Sequence, residues 1–145
     1  MNNIIGFVMV GTNDLDRAGK FYDKILPCLG LKRVISKDNR YIGYGHSNDE
    51  QEVKFYVCNP FNKQKATIGN GCMVALSAES RDMVNEFHAV ALKNGAFSEG
   101  DPGERSDGNY YGYIRDLDGN KLAARFVGKK NKWCSQKNIM IFYSF

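Results

Sequence analysis

Residues 4–30 read IIGFVMVGTNDLDRAGKFYDKILPCLG, and the fold turns on how this stretch divides and whether it recurs. Its first seven residues are almost wholly apolar and are closed by Gly11, Thr12, Asn13 and Asp14, residue types that end strands and cap helices. From there the apolar positions are Leu15, Ala18, Phe21, Tyr22, Ile25, Leu26 and Leu29, the three-and-four spacing of one buried helical face. Pro27 interrupts that face and Gly30 follows it. A strand at 4–10 therefore feeds a helix over roughly residues 14–25, with an end frayed by Pro27.

Downstream, residues 31–36, 41–45 and 52–58 read as strands, separated by Lys37-Asp38-Asn39 and Ser47-Asn48-Asp49-Glu50, both rich in turn formers. After a polar loop at 59–70 the pattern restarts. Residues 72–78 form a strand, Ser80 is an N-cap, Met83, Val84, Phe87, Ala91 and Leu92 make a second helical stripe, and Asn94-Gly95 stops it. A shift of 66 places Phe7 on Met73, Val8 on Val74, Val10 on Leu76, Phe21 on Phe87 and Leu26 on Leu92. A short strand near 96–98 follows, then a Gly/Pro/Asp loop at 100–108. The copy closes with a hairpin of 109–115 and 121–127 turning at Asp116-Leu117-Asp118-Gly119-Asn120. The sequence predicts one α+β domain over 1–128, with βαβββ modules at about 4–59 and 70–127 and a tail at 129–145.

Composition excludes several classes. The chain has 145 residues, 43% of them hydrophobic and 25% charged, enough for one buried core. The net charge of +4 resides in the tail lysines Lys129, Lys130, Lys132 and Lys137; residues 1–128 carry 16 basic and 16 acidic side chains. With no basic cluster interleaved with aromatics, nucleic acid is not expected as a partner. No apolar run reaches the roughly 18 residues of a membrane span and the N-terminus lacks a signal-peptide pattern, so no membrane is expected and the protein is read as cytoplasmic. Cys28, Cys58, Cys72 and Cys134 lack metal-site spacing and are expected as buried free thiols. The apolar segment 139–145 is expected to dock on the domain edge or on a partner subunit.

Gly11-Thr12-Asn13-Asp14-Leu15-Asp16-Arg17-Ala18 with Phe21-Tyr22, Gly69-Asn70-Gly71, Phe87-His88, and Arg115-Asp116-Leu117-Asp118-Gly119-Asn120-Lys121-Leu122 resemble, in order and spacing, the vicinal oxygen chelate superfamily. This is the group of glyoxalases, bleomycin-resistance proteins and extradiol dioxygenases. The resemblance spans about residues 4–127. It implies that the two βαβββ modules form a curved mixed-sheet cup with helices outside, that the cup holds a small molecule, and that the halves close within one chain or across a homodimer. In the family's enzymes a divalent metal in the cup binds two substrate oxygens as a Lewis acid.

Alternation along the strands assigns the cup face. It puts Ile5, Phe7 and Met9 on the first strand, Lys54, Tyr56 and Cys58 on the fourth, Met73, Ala75 and Ser77 on the fifth, and Lys121, Ala123 and Arg125 on the last. The resemblance places the metal-ligand positions at Phe7, Tyr56, Met73 and Ala123, none of them His, Glu, Asp or Gln. No metal or other cofactor is expected. Arg125 is expected as counter-ion for an acidic ligand, with Tyr44, Tyr56, Tyr111 and Tyr113 as aromatic walls. Asp101, Glu104, Arg105 and Asp107 are read as solvated loop charges, His46 as a surface residue and His88 as a half-buried or exposed structural one. Two function classes stay open. One is a binding protein that sequesters a small molecule without a metal. The other is a lyase, isomerase or dioxygenase, lactoylglutathione-lyase-like, with an altered metal site or none.

Overall fold

The computed structural model describes residues 4–37 and 39–128. Cys134 and the expected docking of 139–145 therefore lie outside the described residues. In chain order the elements are β1 (Val8–Gly11), α1 (Leu15–Ile25) with a 3-10 turn at Leu26–Leu29, β2 (Lys32–Lys37), β3 (Tyr41–Gly45) and β4 (Val53–Cys58). The second set is β5 (Val74–Ala78), α2 (Arg81–Lys93), β6 (Phe97–Glu104), β7 (Tyr110–Arg115) and β8 (Lys121–Phe126). Each set makes a four-stranded mixed sheet, ordered β1-β4-β3-β2 and β5-β8-β7-β6, with the first strand parallel to the last.

The two modules repeat at the level of single hydrogen bonds. Asp14 and Ser80, 66 positions apart, each accept the backbone N–H three residues on, from Arg17 and Met83, and start α1 and α2. Met9 pairs with Tyr56 in the first sheet and Ala75 with Ala123 in the second. The offset is therefore 66 on the first strands and 67 on the last, which makes Tyr56 and Ala123 equivalent. The 3-10 turn after α1 has Pro27 near its start and ends at Gly30, whose φ of 75° suits the left-handed cap.

One face of both sheets and the inward faces of both helices share a continuous core that includes Tyr22, Ile25, Leu26, Phe55, Val57, Val84, Phe87, Ile114 and Leu122. α1 packs on α2, and α2 packs on the 3-10 turn after α1, so this core crosses the module boundary. Each such side chain, removed from water, contributes about 1.5–3 kcal/mol before ordering entropy is counted. No helix among the described residues is long and apolar enough to cross a membrane.

Three expectations are corrected. The segment read as a loop from residue 100 is the second half of β6, which pairs Gly100 with Tyr113 and Gly103 with Tyr111 across two register shifts. β6 is an edge strand, where Pro102 leaves no central ladder bond unmade, and a Cβ on Gly100 would sit 3.0 Å from the Tyr113 ring. On α2 the buried polar position is His88, while Leu92 is partly exposed, because the helix meets β6 and β7 along its 84–87–88–91 side. None of the described cysteines is fully buried: Cys28 and Cys58 are half-buried and Cys72 is exposed.

Candidate functional site

The faces of the two sheets turned away from the helices form the candidate cup. β1 begins at Val8, later than the strand expected over 4–10; in it Val10 is buried and Val8 packs against the core, whereas Met9 is 50% exposed and Phe7, just before the strand, 57%. On β4, Val53, Phe55 and Val57 are buried and Tyr56 lies on the open side. Its ring is met edge-on by Phe7 at 5.1 Å and by Tyr41 at 5.6 Å. Burial raises the Tyr56 phenol's pKa, helped by the neighbouring Tyr41 and Glu50. It is thus a hydrogen-bond donor at neutral pH and not a base.

Tyr44 does not belong to the cup. It is fully buried among the core side chains, and its hydroxyl approaches Asp23 Oδ1 at 3.1 Å and the Gly19 carbonyl at 3.3 Å. On β3, alternation sends Ile42 and Tyr44 to the helix side and Tyr41 to the open side, so the cup tyrosine of this strand is Tyr41. The same period-two rule, applied to residues 41–45, would have found it.

On the second sheet, Tyr111 and Tyr113 stack with centroids 5.5 Å apart and planes 7° from parallel. They are paired across the ladder with Arg125 and Ala123. The Arg125 guanidinium carbon lies 5.8 Å from the Tyr111 centroid, the Arg105 guanidinium 5.3 Å and Lys121 Nζ 5.6 Å from that of Tyr113. Arg125 Nε is buried and has no hydrogen-bond partner among the described residues. Ala123 is fully buried and supplies only a methyl group, while Met73 stands 46% exposed just before β5.

Asp107 is more than a solvated charge. Its carboxylate accepts from the Asn109 backbone, from Tyr111 Oη at 2.7 Å and from the Asn109 amide, and its pKa is lowered to about 2 by those bonds, with a smaller contribution from Arg125. Glu104 pairs with Arg81 at the rim, and Arg105 bonds the Asp101 carbonyl. His46 is a surface residue whose Nδ1 meets the Gly30 carbonyl. His88 Nε2 lies 3.0 Å from Ser98 Oγ, and that hydroxyl donates to Asp101 at 3.0 Å. The serine proton thus points at the acid and the histidine donates to the serine, the reverse of what activates a nucleophile.

At the cup mouth on the first sheet lies an open cavity of about 890 Å³, with Met9, Tyr41 and Cys58 on the sheet side and Phe61, Lys63 and Lys65 from the 59–70 loop opposite. A smaller cleft of about 240 Å³ between β1 and β5 is lined by Met9, Met73, Cys72, Ile68, Arg115 and Lys121. Met9 borders both. Burial raises the Cys58 pKa and so keeps it a thiol.

Phe7, Tyr56, Met73 and Ala123, the positions at which the resemblance implies metal ligands, hold a phenyl ring, a phenol, a thioether and a methyl group. A divalent cation of the Zn, Ni, Mn or Fe kind needs several N, O or S donors. These four offer at most a protonated phenol and a thioether, and Phe7 stands against Tyr56 at 5.1 Å. The donor set does not fit such a metal. Among the described residues, no three His, Cys, Asp or Glu come together elsewhere.

Two βαβββ modules on a shared core, each a four-stranded mixed sheet with its helix on one face, define an α+β class of paired-module folds. The sequence model for the Glyoxalase/Bleomycin resistance protein/Dioxygenase superfamily matches residues 4–124, and the chain belongs to that superfamily. Among solved structures, a glyoxalase/bleomycin resistance protein from Albidiferax ferrireducens is similar at 35% identity and TM-score 0.78, over 87% of this chain and 100% of that one. A glyoxalase-related enzyme from Fulvimarina pelagi shares the fold at 18% identity and TM-score 0.67, covering 88% of this chain and 89% of the other. Lactoylglutathione lyase from Agrobacterium tumefaciens shares it at 17% identity and TM-score 0.61, over 87% and 94%. No curated protein matches the sequence.

Proposed function

We propose that this protein binds a small molecule in the cup without a catalytic divalent metal, the ligand lying between the Phe7, Met9, Tyr56 wall and the Tyr111, Tyr113, Arg125 wall. The observation that carries this reading is the content of the four metal positions: apolar or neutral groups at Phe7, Tyr56, Met73 and Ala123, on faces that hold half-exposed apolar side chains facing solvent. Water leaves such surfaces readily, and an apolar or aromatic ligand gains from covering them. The buried Arg125 Nε, without a partner among the described residues, adds a directional donor, and Tyr111 and Tyr113 add a stacked wall. Binding is favoured over catalysis because the neutral-pH forms of Tyr56 and Cys58 are the phenol and the thiol, neither of them a base or an activated nucleophile.

The test is an amide-resolved NMR titration against a library of small planar aromatics. Shifts clustering at Met9, Tyr56, Tyr111 and Arg125 are expected. Shifts confined to the outer surfaces of α1 and α2, or none with any compound, would remove the reading.

A further inference from the structure

The large cavity at the mouth of the first sheet has a charge asymmetry. Its charged lining residues among those described are Arg40, Lys63 and Lys65, all basic. None of the three makes a salt bridge among the described residues. Opposite them the sheet supplies Met9, Tyr41 and Cys58, and the loop supplies Phe61, 93% exposed. Cations with no counter-ion among the described residues, set around an apolar floor, raise the potential inside a concavity and favour anions there.

This mouth is built into the fold. Asn13, at the end of β1, holds residue 66 of the connecting loop from both sides, its Nδ2 donating to the Ala66 carbonyl at 3.1 Å and its Oδ1 accepting from the Ala66 N–H at 2.8 Å. Gly11 lets the loop lie this close, since a Cβ there would sit 3.2 Å from the Ala66 Cβ. Across the opening, Asn59 donates to the Asn39 carbonyl at 2.6 Å and its N–H bonds the Arg40 carbonyl at 2.9 Å, fixing the turn that carries Arg40. Lys63 N–H closes a turn onto the Pro60 carbonyl at 3.0 Å. The cavity's volume, about 890 Å³, is that of a small-molecule site, and its concavity suits a compact ligand better than the surface of a macromolecule.

We infer that the cup's ligand is an organic acid with an aromatic or apolar body, a carboxylate, sulfonate or phosphate whose anionic group is received at the mouth by Arg40, Lys63 and Lys65 while its body runs over Phe61, Tyr41 and Met9 toward Tyr56, whose ring lies 5.6 Å from that of Tyr41. The inference rests on the cup reading and adds the ligand's charge and its orientation. Arg40, Lys63 and Lys65 are all exposed, so replacing them leaves the core intact.

The experiment compares two fluorescent probes that share one aromatic skeleton, the anionic anilinonaphthalenesulfonate and the neutral phenylnaphthylamine, on the full chain and on the combined variant Arg40→Gln, Lys63→Gln, Lys65→Gln. The sulfonate should bind the full chain at least about tenfold more tightly than the neutral probe, an advantage that salt erodes. The combined variant should lose about that tenfold for the sulfonate while holding the neutral probe unchanged. Equal affinity for the two probes, or a variant that keeps the sulfonate, would overturn the inference and leave the cup reading standing. If neither probe binds the full chain, both fall.

Discussion

Asp116 accepts four hydrogen bonds, from Tyr22 Oη at 2.6 Å, from the backbone N–H groups of Asp118 and Asn120, and from the Asn120 amide. In the sequence this segment reads as a good hairpin turn; in three dimensions it also joins the modules. Asp118 takes Thr12 Oγ1 at 2.6 Å and Arg17 at 3.0 Å, and Asn120 reaches the Gly11 carbonyl at 2.9 Å. That role is not legible in the sequence, because it needs a partner 94 positions away and turn propensity reports only neighbours. Tyr22→Phe removes one donor from a buried carboxylate and should cost about 1.5–3 kcal/mol in urea unfolding, with the core otherwise unchanged; a loss near zero would mean the bond is idle. His88 sets a pH response. Burial lowers its pKa below the ordinary 6.5, with Asp101 opposing in part. Above that value the imidazole is neutral in both states and contributes nothing. As pH falls through it, the unfolded chain takes up the proton first, so stability declines until the native state is protonated too. Unfolding curves of His88→Gln should lack this share of the decline, and a decline of the same size in the variant would assign it elsewhere.

At the scale of elements, the sequence pattern places both helices and all eight strands, β6 only by its first residues, because an element that buries one face and leaves the other open alternates in polarity. The failures have the same physical origin. β6 pairs through Gly100, Asp101, Pro102 and Gly103, which carry no apolar alternation, since the face they would contribute is filled by the tyrosine rings of β7. The chemistry of Tyr44 suggests a cup residue, whereas its parity on β3 sends it to the core. The loop cations at the cup mouth leave no sequence signal, for they are brought to Met9 and Tyr41 by tertiary bonds such as the hold of Asn13 on Ala66. The two faces can be told apart by stability. Phe87→Ala, on the core side of α2, should cost about 3–5 kcal/mol, and Met9→Ala, on the cup face, under about 1 kcal/mol in the same denaturant series. The reverse order would mean the faces are misassigned.

On the scale of the whole molecule, Ile4 and Ile5, which precede β1 and lie outside the proposed ligand wall, stand exposed to water. A second copy that covers them is the expected partner, and light scattering coupled to size exclusion should give the mass of a dimer. A monomer at micromolar concentration would leave the cup closed within one chain. The superfamily's enzymes and its binding proteins share this scaffold, and the proposal that this chain is one of the latter rests on the donor set at Phe7, Tyr56, Met73 and Ala123. The most direct measurement is therefore elemental mass spectrometry of protein purified without chelator. Zn, Ni, Mn and Fe well below one equivalent per chain, unchanged by Tyr56→Phe or Met73→Leu, are the predicted result. One equivalent of any of these metals, retained through purification and lost in either variant, would contradict it.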